Sequence, residues 1–215
     1  MYTTYLFDLD GTLLDTAQDL TDAVNYIVTK YGYPPCTYQQ VVAATGNGAR
    51  ELINGCLPEG GAAADFDTIL EEYKAYYEAH SCIKTAPYEG ILPLLEKLQA
   101  KGCKVGIVSN KPHGAVQELA AKFFPGIPAF GERTDIPRKP APDMVYAALK
   151  ELEATKEGAV YVGDSEVDVA AARNADMPLI AVSWGFRSRE LLAQCGAEQI
   201  ADTWKEVLKF PVDKG

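Results

Sequence analysis

Two aspartates one residue apart, Asp8 and Asp10, close the apolar run Thr4-Tyr5-Leu6-Phe7 and are followed at once by Gly11-Thr12. In a strand, the period of two sets both carboxylates on one side while Phe7 and Leu9 face the other. At ~4 Å and an effective dielectric of ~20, like charges repel by about 4 kcal/mol, so the pair calls for a cation, a proton or separation. A second acidic group, Gly163-Asp164-Ser165-Glu166-Val167-Asp168, ends another apolar run. Asp164 and Asp168, four apart, face one way if a helix starts there. Hard oxygen ligands without histidine or thiolate point to Mg²⁺. Asp168 taken alone also reads as an ordinary acid in a helix's first turn.

Three further segments could act on an anion held beside these acids. Ser109-Asn110 ends an apolar run, where a hydroxyl and the following backbone N–H can hold a phosphate oxygen. Lys139 sits in Ile136-Pro-Arg-Lys139-Pro-Ala-Pro142, whose prolines stiffen the backbone, so the lysine is a candidate point charge for a phosphoryl group. Thr45-Gly-Asn47-Gly48-Ala-Arg50 sets two glycines before a helical pattern, so its N–H groups could approach an anion, with Arg50 adding a forked cation. Asn47, Gly48 and Arg50 are therefore expected to read the leaving group. The plain alternative is that Arg50 pairs with a surface acid.

Four strands are expected to position these groups, at 4–10, 104–110, 159–164 and 178–183, with helical patterns at 89–101, 113–123 and 142–153 between them. Alternating strands and helices imply a doubly wound parallel sheet, in which functional groups gather at the carboxyl ends of the strands. Residues 15–85 break the alternation. They contain helical patterns such as 19–31 and 67–80, with loops at 46–48 and 58–61 and a small-residue patch at 60–64. The expected organisation is an α/β core of residues 1–14 and 86–215 carrying an inserted helical unit of residues 15–85.

Composition narrows the partners. Of 215 residues 47% are hydrophobic, and a net charge of -10 disfavours both nucleic acid and a polybasic membrane contact. No apolar run reaches the ~18 residues of a transmembrane helix, and no secretory signal opens the chain, so the expected compartment is the cytoplasm. The five cysteines form no C-x-x-C pair, and the two histidines lie far apart, which argues against a zinc site. No cysteine has an arginine six positions on, and the serine-hydrolase, dinucleotide and P-loop signatures are missing.

The ordered set Asp8-x-Asp10-Gly-Thr, Ser109-Asn110, Lys139-Pro and Gly163-Asp164-x-x-x-Asp168 resembles the haloacid dehalogenase superfamily of phosphatases. The helical insert after the first motif is similar to the cap of its subfamily I. Ile136-Pro-Arg-Lys-Pro-Ala-Pro142 with Val182-Ser-Trp-Gly-Phe-Arg187 looks most like phosphoglycolate-phosphatase-type members. The resemblance implies a Rossmann-like core and a Mg²⁺-dependent phosphohydrolase acting on a small phosphorylated metabolite. It makes Asp8 the nucleophile that becomes an aspartyl phosphate, and Asp10 the acid and base. It assigns the metal to Asp8, the Asp10 carbonyl and Asp164, with Asp168 orienting or completing the shell, and gives the phosphoryl oxygens to Ser109, Asn110 and Lys139. The alternatives are a β-phosphoglucomutase-like phosphomutase, which would yield an isomerised sugar phosphate, and a receiver-type switch, which the D-x-D-G-T spacing and the insert disfavour. The oligomeric state stays open.

Overall fold

The computed structural model describes residues 2–58 and 65–210. In chain order, β1 (Thr4–Phe7) and the short β2 (Leu14–Asp15) lead into four helices, α1 (Ala17–Lys30), α2 (Tyr38–Ala44), α3 (Gly48–Cys56) and α4 (Phe66–His80). The chain returns through β3 (Ala86–Pro87) to α5 (Ile91–Ala100), β4 (Lys104–Pro112), α6 (His113–Phe123) and β5 (Ala129–Glu132). It continues with α7 (Asp143–Glu151), β6 (Ala159–Gly163), α8 (Glu166–Asn174), β7 (Leu179–Val182), α9 (Arg189–Gln194), β8 (Ile200–Ala201) and α10 (Trp204–Val207). The loop expected at 58–61 and the patch at 60–64 lie, Pro58 apart, outside the described residues.

Six strands form one parallel sheet in the order β5-β4-β1-β6-β7-β8. The all-buried run of β1 is what a strand covered on both faces requires. Tyr5 and Phe7 pack with Val105, Ile107, Leu94, Leu98, Val116 and Leu119 on one face, under α5 and α6. Leu6 points the other way, to Val108, Tyr161, Val145 and Leu149 beneath α7. Thr4 stands opposite both Lys104 and Ala159, so β4 and β6 flank β1 in matched register. The winding direction changes at β1, and the carboxyl ends of β1, β4 and β6 meet at that crevice.

The α/β class and all four expected strands are present. Strands β5 and β8 were not expected: β5 reads Ala-Phe-Gly-Glu, with glycine breaking its apolar alternation, and β8 has two residues. Both lie on the sheet's edges, where short strands suffice.

Helices α1–α4 gather around their own apolar cluster, including Leu20, Val24, Ile27, Ile53, Ile69 and Tyr73. The two chain passages leading to and from them pair antiparallel, Leu14 with Pro87 and Asp15 with Ala86. Buried Asp19 fastens this neck, accepting from the Ile83, Lys84 and Thr85 backbone N–H groups and from the Thr85 hydroxyl at 2.8–3.0 Å. Among the described residues no helix is long and apolar enough to cross a membrane.

Candidate active site

Asp8 sits one residue past β1 and extends its ladder, its N–H donating to the Val162 carbonyl at 2.9 Å. The strand alternation stops there. A tight turn, in which the N–H groups of Thr12, Leu13 and Leu14 all reach the Leu9 carbonyl, brings Asp10 back beside the sheet. The two carboxylates are then kept apart by different cations. Asp8 Oδ1 lies 3.0 Å from Lys139 Nζ, whereas Asp10 receives Lys111 Nζ on both oxygens at 2.8 Å. Gly11 is required twice over. Its φ of +80° favours glycine, and a Cβ there would fall 2.3 Å from Asp164 Oδ2.

Asp164 leaves the end of β6 fully buried, accepting from the Thr12 hydroxyl at 2.8 Å and the Phe186 N–H at 2.7 Å. Asp168 is the third residue of α8, the first-turn position the sequence offered, and each of its oxygens is engaged. One oxygen closes a capping box with Ser165, whose hydroxyl donates to it at 2.6 Å, and the other takes Lys139 Nζ at 2.8 Å. Lys139 has only 1% of its surface exposed, and Nζ also donates to the Tyr161 hydroxyl at 2.9 Å. Asn110 fixes this lysine's backbone, accepting from its N–H at 2.9 Å and donating to its carbonyl at 2.8 Å. The Asn110 side chain is thus committed to positioning Lys139, with a further donation to the Gly46 carbonyl at 3.0 Å. Ser109 is buried beside it.

Burial, reinforced by Asp168, pushes the Asp8 carboxyl well above the usual range, although Lys139 pulls the other way. The same two causes raise Asp164 to about 7, against the opposing hydrogen bonds from Phe186 and Thr12. Burial alone would lower the Lys139 pKa, but Asp168 and Asp8 outweigh it and hold the ammonium charged well above its ordinary range. Carboxylate oxygens of Asp8, Asp164 and Asp168 lie within 4.8 Å of one another. Three acids against one ammonium leave two negative charges, the deficit that one divalent cation neutralises. The all-oxygen donor set suits Mg²⁺.

Asp8, Asp10 and Asp164 floor a cavity of 390 Å³, walled on the sheet side by Ser109, Asn110 and Lys111 and roofed by Gly46, Gly48, Leu52, Tyr73 and Tyr77 from the helical segment. Of the three residues expected to read the leaving group, Gly48 lines this cavity. Arg50 and Asn47 do not line the cavity. Arg50 points outward, donating to exposed Asp67 at 2.6 Å and lying over the Phe66 ring, because helix α3 begins at Gly48 and turns position 50 away. Asn47 is the N-cap residue of α3 and makes no side-chain cap.

Three functional groups escaped the sequence reading. Lys111 immediately follows Ser109-Asn110, and a lysine extending a strand that ends in the crevice was the available signal. Tyr77 sits in the apolar pattern of α4 and was indistinguishable there from core. Arg187 joins the helical segment to the core: its guanidinium donates to Glu166 at 2.7 and 3.1 Å and to the carbonyls of Val42, Ala43 and Thr45 at 2.8–3.2 Å.

A parallel sheet with two aspartates at its switch point, a buried lysine across from them and a helical roof defines a phosphoryl-handling enzyme, a phosphatase. The chain belongs to the haloacid dehalogenase-like hydrolase family, whose profile matches residues 5–182. It is 34% identical over 189 residues to a phosphoglycolate phosphatase of Xanthomonas campestris pv. campestris, covering 85% of this chain and 83% of that one. A phosphoglycolate phosphatase of Rhodospirillum rubrum is 33% identical over 98% of this chain and 92% of its own length. Among solved structures, a candidate phosphoglycolate phosphatase from Lactobacillus delbrueckii subsp. bulgaricus superposes with a TM-score of 0.90 and 39% identity, covering 96% of each chain.

Proposed function

We propose that the protein is a Mg²⁺-dependent phosphohydrolase that cleaves a small phosphate monoester, phosphoglycolate first among them, through an aspartyl phosphate on Asp8. The observation that carries this reading is the placement of Asp8: at the end of the central strand, 3.0 Å from a buried lysine, at the floor of a cavity roofed by the helical segment. Core residues 1–14 and 86–215 would supply the chemistry, and the helical cap of residues 15–85 the enclosure. The names of the Xanthomonas and Rhodospirillum relatives support the substrate.

The phosphoryl group would accept from the Ser109 hydroxyl and face the Lys139 ammonium, with Asn110 holding that lysine in place. An Asp8 oxygen attacks phosphorus, the P–O bond to the leaving group breaks, and the departing alkoxide takes a proton from Asp10. Asp10, now a carboxylate, accepts a proton from the water that attacks the aspartyl phosphate, so Asp8 is regenerated and inorganic phosphate leaves. Mg²⁺ would be held by Asp8, the Asp10 carbonyl and Asp164, and when bound it neutralises charge at the phosphoryl group. Asp168 orients Lys139, since both its oxygens are already engaged. The five unpaired cysteines suit a reducing compartment such as the cytoplasm.

The test is phosphate release with Mg²⁺ over phosphoglycolate, sugar phosphates, nucleotides and pyrophosphate, followed by acid quench and mapping of phosphate label. Phosphoglycolate is expected to lead, with label on Asp8. Label on another residue would overturn the mechanism, and an isomerised sugar phosphate without free phosphate would make the protein a mutase.

A further inference from the structure

Lys111 is a cation placed where the phosphoryl chemistry has no use for it. Its side chain is 3% exposed, it lines the cavity, and its ammonium is spent on Asp10, gripping both oxygens at 2.8 Å. Yet Asp10 is the group that must be released to exchange a proton with the leaving group. Beneath the ammonium lies the Tyr77 ring, 4.5 Å from Nζ to centroid. Tyr77 lines the cavity roof, and its hydroxyl is buried with no hydrogen-bond partner among the described residues. A buried hydroxyl left unpaired costs stability, so an acceptor that reached it from the cavity would be stabilised there.

We propose that Lys111 and Tyr77 together form the receptor for a carboxylate on the substrate's leaving group, and that this carboxylate takes the place of Asp10 on Lys111. The inference rests on the phosphatase reading above and deepens it to a substrate class: small phosphorylated carboxylic acids. The exchange keeps Lys111 paired, and the displaced Asp10 takes up a proton from solvent, the proton its acid role then delivers. An incoming carboxylate offers Lys111 the same two oxygens that Asp10 does, so the buried ammonium is never left unpaired while Asp10 turns to the ester oxygen. A neutral leaving group cannot make that exchange and leaves Asp10 held. Recognition and the freeing of the acid are thereby one event.

Position supports the assignment. Ser109 and Lys111 are two apart at the carboxyl end of β4 and both line the cavity, so one short stretch of chain presents a phosphoryl contact and a cation to the same space. The other cations are committed elsewhere: Lys139 to Asp8 and Asp168, Lys74 to Glu71 at the cavity's exposed rim, and Arg50 to Asp67 outside it.

The experiment compares kcat/KM for phosphoglycolate with that for ethyl phosphate, which replaces the carboxylate by a methyl group. Wild-type protein is expected to favour phosphoglycolate. In Lys111→Met the ratio of the two constants should fall about ten- to hundredfold, the loss of one charge-assisted hydrogen-bonded contact. Tyr77→Phe, which keeps the ring and so the packing, should lower the ratio about fivefold. Lys111→Arg should retain part of the preference, with the remaining loss in KM. If Lys111→Met does not fold, Tyr77→Phe and Lys111→Arg carry the comparison. Equal losses on both substrates would overturn the receptor and leave Lys111 as a holder of Asp10, with the phosphatase reading intact. A wild-type protein that turns over phosphoglycolate no better than ethyl phosphate would overturn the receptor and the substrate class together.

Discussion

Replacing Arg187 with methionine should unseat α2 from the core. The arginine side chain is 8% exposed, and its guanidinium donates to both oxygens of Glu166 and to three carbonyls at the end of α2. Methionine keeps the apolar stem and removes every donor. The bond to the Thr45 carbonyl is buried, and a charge-assisted bond of that kind contributes about 1.5–3 kcal/mol. Water replaces much of the other four, since Glu166 is 39% exposed, so together they add roughly 1 kcal/mol. The sum, about 3 kcal/mol, corresponds to a fall in Tm of roughly 6–12 °C for a chain of this length if everything unfolds together. If α2 opens without the core, Tm stays and the loss appears instead as about hundredfold faster amide exchange across residues 38–45. Thermal melts and hydrogen exchange on the same variant distinguish the two cases. A Tm within ~2 °C of wild type together with unchanged exchange over 38–45 would refute the view that Arg187 holds the helical segment to the core.

Removing divalent metal with EDTA should abolish phosphate release and Mg²⁺ should restore it, because the three clustered buried acids have a single ammonium among them; full activity in excess chelator would sink the metal assignment. Lys139→Met should lower kcat by about 10²–10³ with a folded circular-dichroism spectrum, and near-normal rates would make the lysine merely structural. Gly11→Ala combines a positive φ with a 2.3 Å clash against Asp164 Oδ2, so soluble variant should show weaker metal dependence and lower activity; wild-type behaviour in a metal titration would contradict the packing argument. Arg50→Ala should change kcat/KM less than about twofold on phosphoglycolate and on p-nitrophenyl phosphate alike, since its partners are exposed Asp67 and the Phe66 ring. A loss confined to phosphoglycolate would return Arg50 to the leaving group.

The α/β architecture could be read from the chain because β1, β4, β6 and β7 are apolar runs that end in polar residues, and a doubly wound sheet has to put those ends together. Helices α1, α4, α5, α6 and α7 were visible for the related reason that each carries a buried stripe. Helix α2 did not announce itself, since Val41 is its sole buried residue. Within the site, the acids and Lys139 stood out because charge beside an apolar run or between prolines is locally odd. Contacts between distant positions left no such mark. The partner of Lys111 is 101 positions away, and the carbonyls that Arg187 meets are 142–145 positions away. Arg50 misled for a converse reason: two glycines before a helix suggest an anion site, but where helix α3 begins decides which way position 50 points, and composition does not set that.

Asp8 and Asp10 show how one short motif yields two different carboxylates. They are two positions apart and similarly buried, yet the turn after Leu9 sends one to the lysine of the 136–142 loop and the other to the lysine of β4. Lys139 is itself immobilised by Asp168, Tyr161 and the Asn110 clamp, so Asp8 faces a charge that does not move, the fixed geometry the proposed attack would need. Lys111 carries no comparable set of anchors: besides Asp10, its ammonium has the face of Tyr77, an attraction that any anion of similar size leaves undisturbed. A nucleophile benefits from a fixed partner, whereas a group that must protonate a leaving oxygen and later take a proton from water needs a partner it can leave. The asymmetry between the two lysines is what the two proposed jobs would require, and under that proposal the lysine that can be exchanged, rather than the one that is locked, is the point at which a substrate's own charge would be felt.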